Sequence, residues 1–163
     1  MKNLIIIAHN LRSAHNVGSL LRTSEALGVR EVYLTGYTAY PKIANDPRLP
    51  HISDKVHQKI SKTALGAENY LKINVAPQLE KVIKDLRLAG FKIIALEQDS
   101  QSTELASFHS KDKLALILGN EVTGLDRSIL SICDDVIEIP MKGQKESLNV
   151  IQAAAIAIYS LML

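Results

Sequence analysis

Three polar, glycine-bearing segments of this 163-residue chain each follow directly on an apolar run. The first reads His9-Asn10-Leu11-Arg12-Ser13-Ala14-His15-Asn16-Val17-Gly18 and runs on to Arg22. The second is Leu118-Gly119-Asn120-Glu121-Val122-Thr123-Gly124-Leu125, and the third runs Ile139-Pro140-Met141-Lys142-Gly143-Gln144-Lys145-Glu146-Ser147-Leu148-Asn149. In an open α/β sheet, ligands bind in the crevice beyond the carboxyl ends of the strands, so three such loops converging there make a candidate site. Gly119 and Gly143, lacking a Cβ, let backbone approach a ligand closely. Ile139, Met141 and Leu148 supply the apolar walls of a small-molecule pocket.

Several familiar chemistries fail against these residues. Gly119 and Gly124 have the spacing of a phosphate-binding loop, but Leu125-Asp126 stands where Lys-Ser/Thr is required. A dinucleotide site needs its glycines after the first strand, whereas here that strand ends in Ala8-His9-Asn10. The five histidines show no His-x-x-x-His spacing and there is one cysteine, so a metal site is not expected. No Gly-x-Ser-x-Gly elbow is present.

The elements that must position these loops alternate between short β-branched runs and longer amphipathic stretches. Strands are expected over 4–8, 31–35, 70–75, 91–96, 114–118 and 135–139, the first apolar at every position, as a strand buried on both faces would be. Helices are expected over 17–27, 54–65, 77–89, 125–132 and 147–163, with a long loop over 37–53. The pattern predicts one α/β domain spanning 1–163, a mostly parallel sheet of about six strands with helices on both faces. The last helix is apolar on nearly every side, which predicts burial of its spare face against a second subunit, hence a homodimer.

Composition narrows the function. Lys+Arg 19 against Asp+Glu 17 names no partner, and no run approaches the roughly 18 apolar residues of a membrane span. Only five apolar residues precede His9, too few for a secretory core of roughly 7–15, so a cytoplasmic location is expected. Five Tyr and two Phe leave little for a base-stacking platform of the kind RNA-recognition sheets use.

In this order, the three segments resemble the signature motifs of the SpoU/TrmH branch of the SPOUT RNA methyltransferases. They are Asn16-Val17-Gly18-Ser19-Leu20-Leu21-Arg22-Thr23, then Leu118-Gly119-Asn120-Glu121 with Gly124-Leu125, then Ile139-Pro140-Met141 with Gly143 and Ser147-Leu148-Asn149-Val150. Lys62-Thr63-Ala64-Leu65-Gly66-Ala67-Glu68 is similar to a further segment of that branch, while Ile151 departs from the small polar residue of many relatives. The resemblance implies a C-terminal deep trefoil knot and the minimal, catalytic-domain-only form. It also implies S-adenosylmethionine held by Leu96, Leu118, Gly119, Asn120, Ile139, Met141, Gly143 and Leu148, with S-adenosylhomocysteine as product and no metal. The reaction implied is methylation of a ribose 2′-hydroxyl of RNA, transfer RNA preferred over ribosomal RNA, with two subunits completing the site.

The catalytic set it implies is Arg22, Asn16, Glu121, Ser147 and Asn149. Arg22 has the family's role of base; a guanidinium normally stays protonated, so binding a phosphate and stabilising alkoxide charge is the alternative. Asn16 either holds Arg22 or a phosphate, or caps a helix. Glu121 orients Arg22, bridges subunits or is a surface acid; Ser147 and Asn149 bind ligand or begin the last helix. Lys42, Arg48, Lys55 and Lys59 form a basic stretch for RNA phosphates, with Tyr40 against a base, or else a solvated face. Tyr33, Tyr37 and Tyr40 are the one aromatic cluster. Two rival readings remain: a non-catalytic RNA-binding or assembly protein, and a cofactor-binding enzyme with a non-RNA substrate.

Overall fold

The structure is a computed structural model that describes residues 3–110 and 113–163. Among the described residues seven strands form one sheet: β1 (Leu4–His9), β2 (Glu31–Thr35), β3 (Lys72–Ala76), β4 (Phe91–Leu96), β5 (Thr103–Glu104), β6 (Lys113–Leu118) and β7 (Asp135–Glu138). Their order across the sheet is β3-β2-β1-β6-β4-β7-β5, and every pairing is parallel. All strands therefore end on the same edge, and the three polar segments leave from it.

Helices α1 (Ala14–Ala26), α2 (Pro50–Ala64) and α5 (Val150–Met162) cover one face; α3 (Leu79–Leu88) and the short α4 (Arg127–Leu130) cover the other. The unbroken apolar run of β1 follows from this two-sided burial. Ile6 and Ala8 pack with α1 and α5, and Ile5 and Ile7 pack with α3, all nearly inaccessible to water.

The expected α/β class is observed, with one strand more than expected. β5 has two residues, both exposed, and joins the sheet only through β7. A strand so short carries no alternation to detect. Helix α2 starts at Pro50, not Asp54, because proline fits a first turn whose N–H groups are unpaired anyway. Helix α5 starts at Val150; Asn149 is its N-cap, its Oδ1 accepting from Ile151 N at 2.9 Å, and Ser147 lies in the preceding loop. Among the described residues no helix is long and apolar enough to cross a membrane.

The crossing of α1 over α2 explains one motif residue. A Cβ on Gly18 would collide with the Thr63 hydroxyl and the Ile60 carbonyl, and would lie 3.0 Å from Ala64 N. Thr63 Oγ1 meanwhile donates to the His15 carbonyl at 2.8 Å. Gly18 is where the two backbones touch.

Candidate functional site

A cleft opens at the carboxyl ends of the adjacent strands β6, β4 and β7. Leu96 and Leu118 end two of those strands, and Ile139, Met141 and Leu148 of the third segment complete an apolar wall. The first turn of α5, through Val150 and Ala153, closes the far side. Glu97, Gln98, Glu121, Glu138 and Ser147 supply polar groups, and among the described residues no Lys, Arg or His lines it. Leu96, Leu118, Gly119, Asn120, Glu121, Ile139, Met141, Ser147 and Leu148 of the expected set therefore come together. Asn16, Arg22, Gly143 and Asn149 do not line this cleft.

The 119–124 loop is built by its own side chains. Asn120 and Gly124 exchange backbone hydrogen bonds of 3.2 and 3.0 Å, closing the turn. Asn120 Oδ1 accepts from Val122 N at 2.8 Å and Thr123 N at 3.1 Å. Its Nδ2 donates to the Asn10 carbonyl at 3.0 Å and lies 3.4 Å from the Tyr37 hydroxyl. These contacts occupy the donors and acceptors of an amide, so the Asn120 side chain holds the loop instead of facing a ligand. Gly119 likewise answers to the chain itself: a Cβ there would lie 2.6 Å from the Gly124 carbonyl carbon and 2.8 Å from Leu125 Cγ. Gly124, at φ 65, packs on the Glu97 carboxylate, whose Oε2 accepts from Leu125 N at 2.9 Å. Around Gly143 a Cβ would meet nothing within 4 Å, so no close approach within the chain calls for glycine there.

Glu121 joins this loop to the start of α1. Its carboxylate accepts from Ser13 N at 2.9 Å, Arg12 N at 3.2 Å and Asn16 Nδ2 at 3.3 Å. A carboxylate at a helix N-terminus also meets the positive end of the helix dipole. Burial works against the charge, but the Ser13 and Arg12 amides and the Asn16 side chain outweigh it and hold the Glu121 carboxyl below its ordinary value. The unfolded chain thus takes up a proton at a pH where folded Glu121 refuses it. The stabilisation is complete above the usual carboxylate range, near 4.3, and is lost as pH falls through the lowered folded value. Glu121→Gln should flatten the loss of unfolding free energy between pH 7 and acid in urea titrations; an unchanged slope would remove Glu121 from that role.

Two expectations about α1 are corrected here. Ser13, not Asn16, is its N-cap, the Ser13 hydroxyl accepting from Asn16 N at 3.2 Å. Nor does Asn16 hold Arg22: six positions on a helix turn the side chain about 240° and advance it about 9 Å. Arg22 is exposed and borders a shallow groove with Thr23, Thr63, Ala155 and Tyr159.

The family model that matches this chain covers residues 3–159 and is that of the SpoU rRNA methylases. The chain belongs to that family. It is 30% identical over 155 residues to a Staphylococcus aureus (strain COL) protein named for the TrmH family of tRNA/rRNA methyltransferases. That match covers 95% of this chain and 56% of the relative, so the chain spans little more than half the length of the curated relatives it matches. Among solved structures, the A. aeolicus TrmH/SpoU tRNA modifying enzyme superposes with a TM-score of 0.80 at 26% identity, covering 99% of this chain and 75% of the other. An AdoMet-bound rRNA methyltransferase from Sinorhizobium meliloti gives a TM-score of 0.81 at 22% identity, over 98% and 55% of the two chains.

For this SpoU-family chain the basic stretch is only partly available. Arg48 is spent inside its own loop: it pairs with Asp46 at 2.6 Å and donates to the carbonyls of Tyr40 and Pro41. The hydrogen bonds from Arg48 hold the Asp46 carboxyl far below its usual range. The Arg48 guanidinium also lies 3.6 Å from the Tyr40 ring centroid, covering the face expected to meet a base. Lys42 pairs with Asp54 at 2.7 Å, an exposed contact that a phosphate could displace. Lys55 and Lys59 are exposed on α2.

Residue types alone did not single out Glu97, Gln98 or Glu138, because nothing sets such residues apart until β4 and β7 lie side by side. His9 opens the first of the three polar segments and ends β1. Its Nδ1 lies 2.9 Å from Thr35 Oγ1, and its Nε2 accepts from Asn10 Nδ2 at 3.0 Å. Burial lowers its pKa against the pull of Glu80 and Asp126, which suits the neutral ring these contacts need. Among the described residues no three His, Cys, Asp or Glu are grouped to hold a metal ion.

Proposed function

We propose that this protein transfers the methyl group of S-adenosylmethionine to a ribose 2′-hydroxyl of RNA, transfer RNA before ribosomal RNA, and releases S-adenosylhomocysteine and the hydroxyl proton, which passes to water. The observation that carries this reading is the cleft beyond β6, β4 and β7, walled by the segments that resemble the family's second and third motifs. Its residues fit the cofactor. Leu96, Leu118, Ile139, Met141 and Leu148 offer apolar surface to an adenosine, and Glu97, Glu121 and Glu138 offer negative charge to a sulfonium and an ammonium. When bound, the cofactor supplies an electrophilic methyl group.

The remaining work belongs to the chain. The Arg22 guanidinium binds the phosphate beside the target ribose and stabilises negative charge growing on O2′. Glu121 fixes the helix that carries Arg22 to the loop that lines the cleft. Ser147 lines the cleft, and Asn149 sets the first turn of α5 behind it.

The same reading makes the protein a cytoplasmic, metal-independent homodimer whose C-terminal part is knotted. The inner side of α5 is buried through Ala154, Ala157, Ile158 and Leu161, while Ile156 and Tyr159 remain 46% and 58% exposed beside Pro140 and Leu105. Arg22 shares its groove with Ala155 and Tyr159 of that face, so a subunit packed on α5 would lie beside Arg22. Tyr159→Asp should yield a folded monomer by light scattering, with a lowered melting temperature that no longer depends on protein concentration, and methyl transfer lost. A wild-type monomer that is active would sink the two-subunit site.

Incubation with methyl-labelled S-adenosylmethionine and unmodified total RNA, followed by nucleoside analysis, tests the whole reading. A labelled 2′-O-methylnucleoside is expected. Tight cofactor binding without transfer to any RNA would instead mark a non-catalytic protein on this scaffold.

A further inference from the structure

Tyr37 follows β2 on the sheet edge where the cleft opens, and the residue is 60% exposed. Hydrogen bonds hold it from both ends: its N–H donates to Asn10 Oδ1 at 3.1 Å, and its hydroxyl meets Asn120 Nδ2 at 3.4 Å. Asn10 is itself fixed, at φ 58, by its bond to His9 and by Asn120 on its carbonyl. Asn120 lines the cleft. An exposed aromatic ring is thus set in place one side chain away from the cofactor loop, with little conformational entropy left to lose on binding.

The other six aromatic residues are unsuited to meet a base there. Tyr33, Phe91 and Phe108 pack against the cores. Tyr40 has its face under Arg48. Tyr70 precedes β3, on the opposite edge of the sheet, and Tyr159 belongs to the apolar face of α5.

We propose that Tyr37 is the stacking surface for an unpaired nucleobase of the RNA, that of the target nucleotide or its neighbour, and so a specificity-determining residue. This rests on the RNA methyl-transfer reading above. It also selects RNA whose target lies in a loop or single strand, because a base held in a duplex has no free face to offer.

The test compares wild type, Tyr37→Phe and Tyr37→Ala. Binding is followed by the fluorescence of a single-stranded RNA oligonucleotide carrying 2-aminopurine, cofactor affinity by calorimetry, and methyl transfer on the unmodified RNA pool. Base–aromatic stacking is worth about 1–3 kcal/mol, so Tyr37→Ala should bind the oligonucleotide roughly tenfold more weakly, without quenching. Tyr37→Phe should quench as wild type does, and both should keep their cofactor affinity. If wild type methylates RNA but Tyr37→Ala binds and quenches like wild type, stacking is overturned and the enzyme reading stands. If Phe and Ala lose cofactor and RNA affinity alike, Tyr37 acts only through Asn120, and the proposal fails. A wild type that neither binds the oligonucleotide nor methylates any RNA overturns both.

Discussion

Replacing Gly18 by alanine is expected to lower the melting temperature, the reverse of what that change does in most helices. Glycine in a helix interior is about 1 kcal/mol worse than alanine, so an unobstructed site would gain stability. At Gly18 the new methyl group would meet the Thr63 hydroxyl, the Ile60 carbonyl and Ala64 N where α1 crosses α2. The hydroxyl can rotate away; the carbonyl is backbone and is tied into its helix. Forcing the helices apart costs about 1–3 kcal/mol by overpacking. It also strains the Thr63 bond to the His15 carbonyl. For a chain of this size, each net kcal/mol corresponds to roughly 2–4 °C, so alanine should cost a few degrees and valine markedly more. Combining Gly18→Ala with Thr63→Ala should restore only part of the loss, since the Ile60 carbonyl remains. Calorimetric unfolding of the three variants decides it, and a melting temperature at or above wild type for Gly18→Ala would show that the crossing has slack.

The second large effect concerns Arg22. Arg22→Lys keeps a positive charge but gives up the planar pair of donors that a phosphate accepts. Removing one preorganised donor from a developing oxyanion typically costs about 100-fold or more in kcat. That drop is expected here, with cofactor affinity by calorimetry unchanged because Arg22 stands outside the cleft of its own chain. Its exposure predicts that the melting temperature will hardly move. Near-wild-type turnover in Arg22→Lys would leave Arg22 neither a base nor a clamp. Mixing Arg22→Ala with the cleft variant Leu148→Asp then locates the site. Two inactive proteins should regain activity together if each intact site takes Arg22 from one subunit and its cleft from the other. No recovery, in a mixture shown to exchange subunits, would place Arg22 and the cleft in one chain.

Much of this was legible in residue order. Apolar runs at 4–8, 91–96 and 114–118 could only be strands covered on both faces, and they are β1, β4 and β6. The order and content of three loops pointed to the family, which the family model bears out over residues 3–159. What each loop residue does was less legible. Asn16 is a good N-cap by type, yet Ser13 took that position and left the Asn16 amide for Glu121. Gly119 reads as a ligand-facing glycine and does line the cleft, but the backbone of Gly124 also leaves no room for a Cβ there. Arg48 and Tyr40, eight residues apart, look like an RNA-facing pair until the loop folds and they neutralise one another with Asp46.

The sequence by itself determined most of the elements, because periodicity, caps and apolar runs act over a few residues. It also marked the three loops as chemical, since polar side chains and glycines after buried strands have few other uses. Only the tertiary structure decided which of those residues face the cleft and which hold it open. Several of these assignments depend on distant partners, 27 positions away for Tyr37 and Asn10 and 110 for Asn120 and Asn10. A side chain has only a few hydrogen bonds to give, and chain order does not say where they are spent.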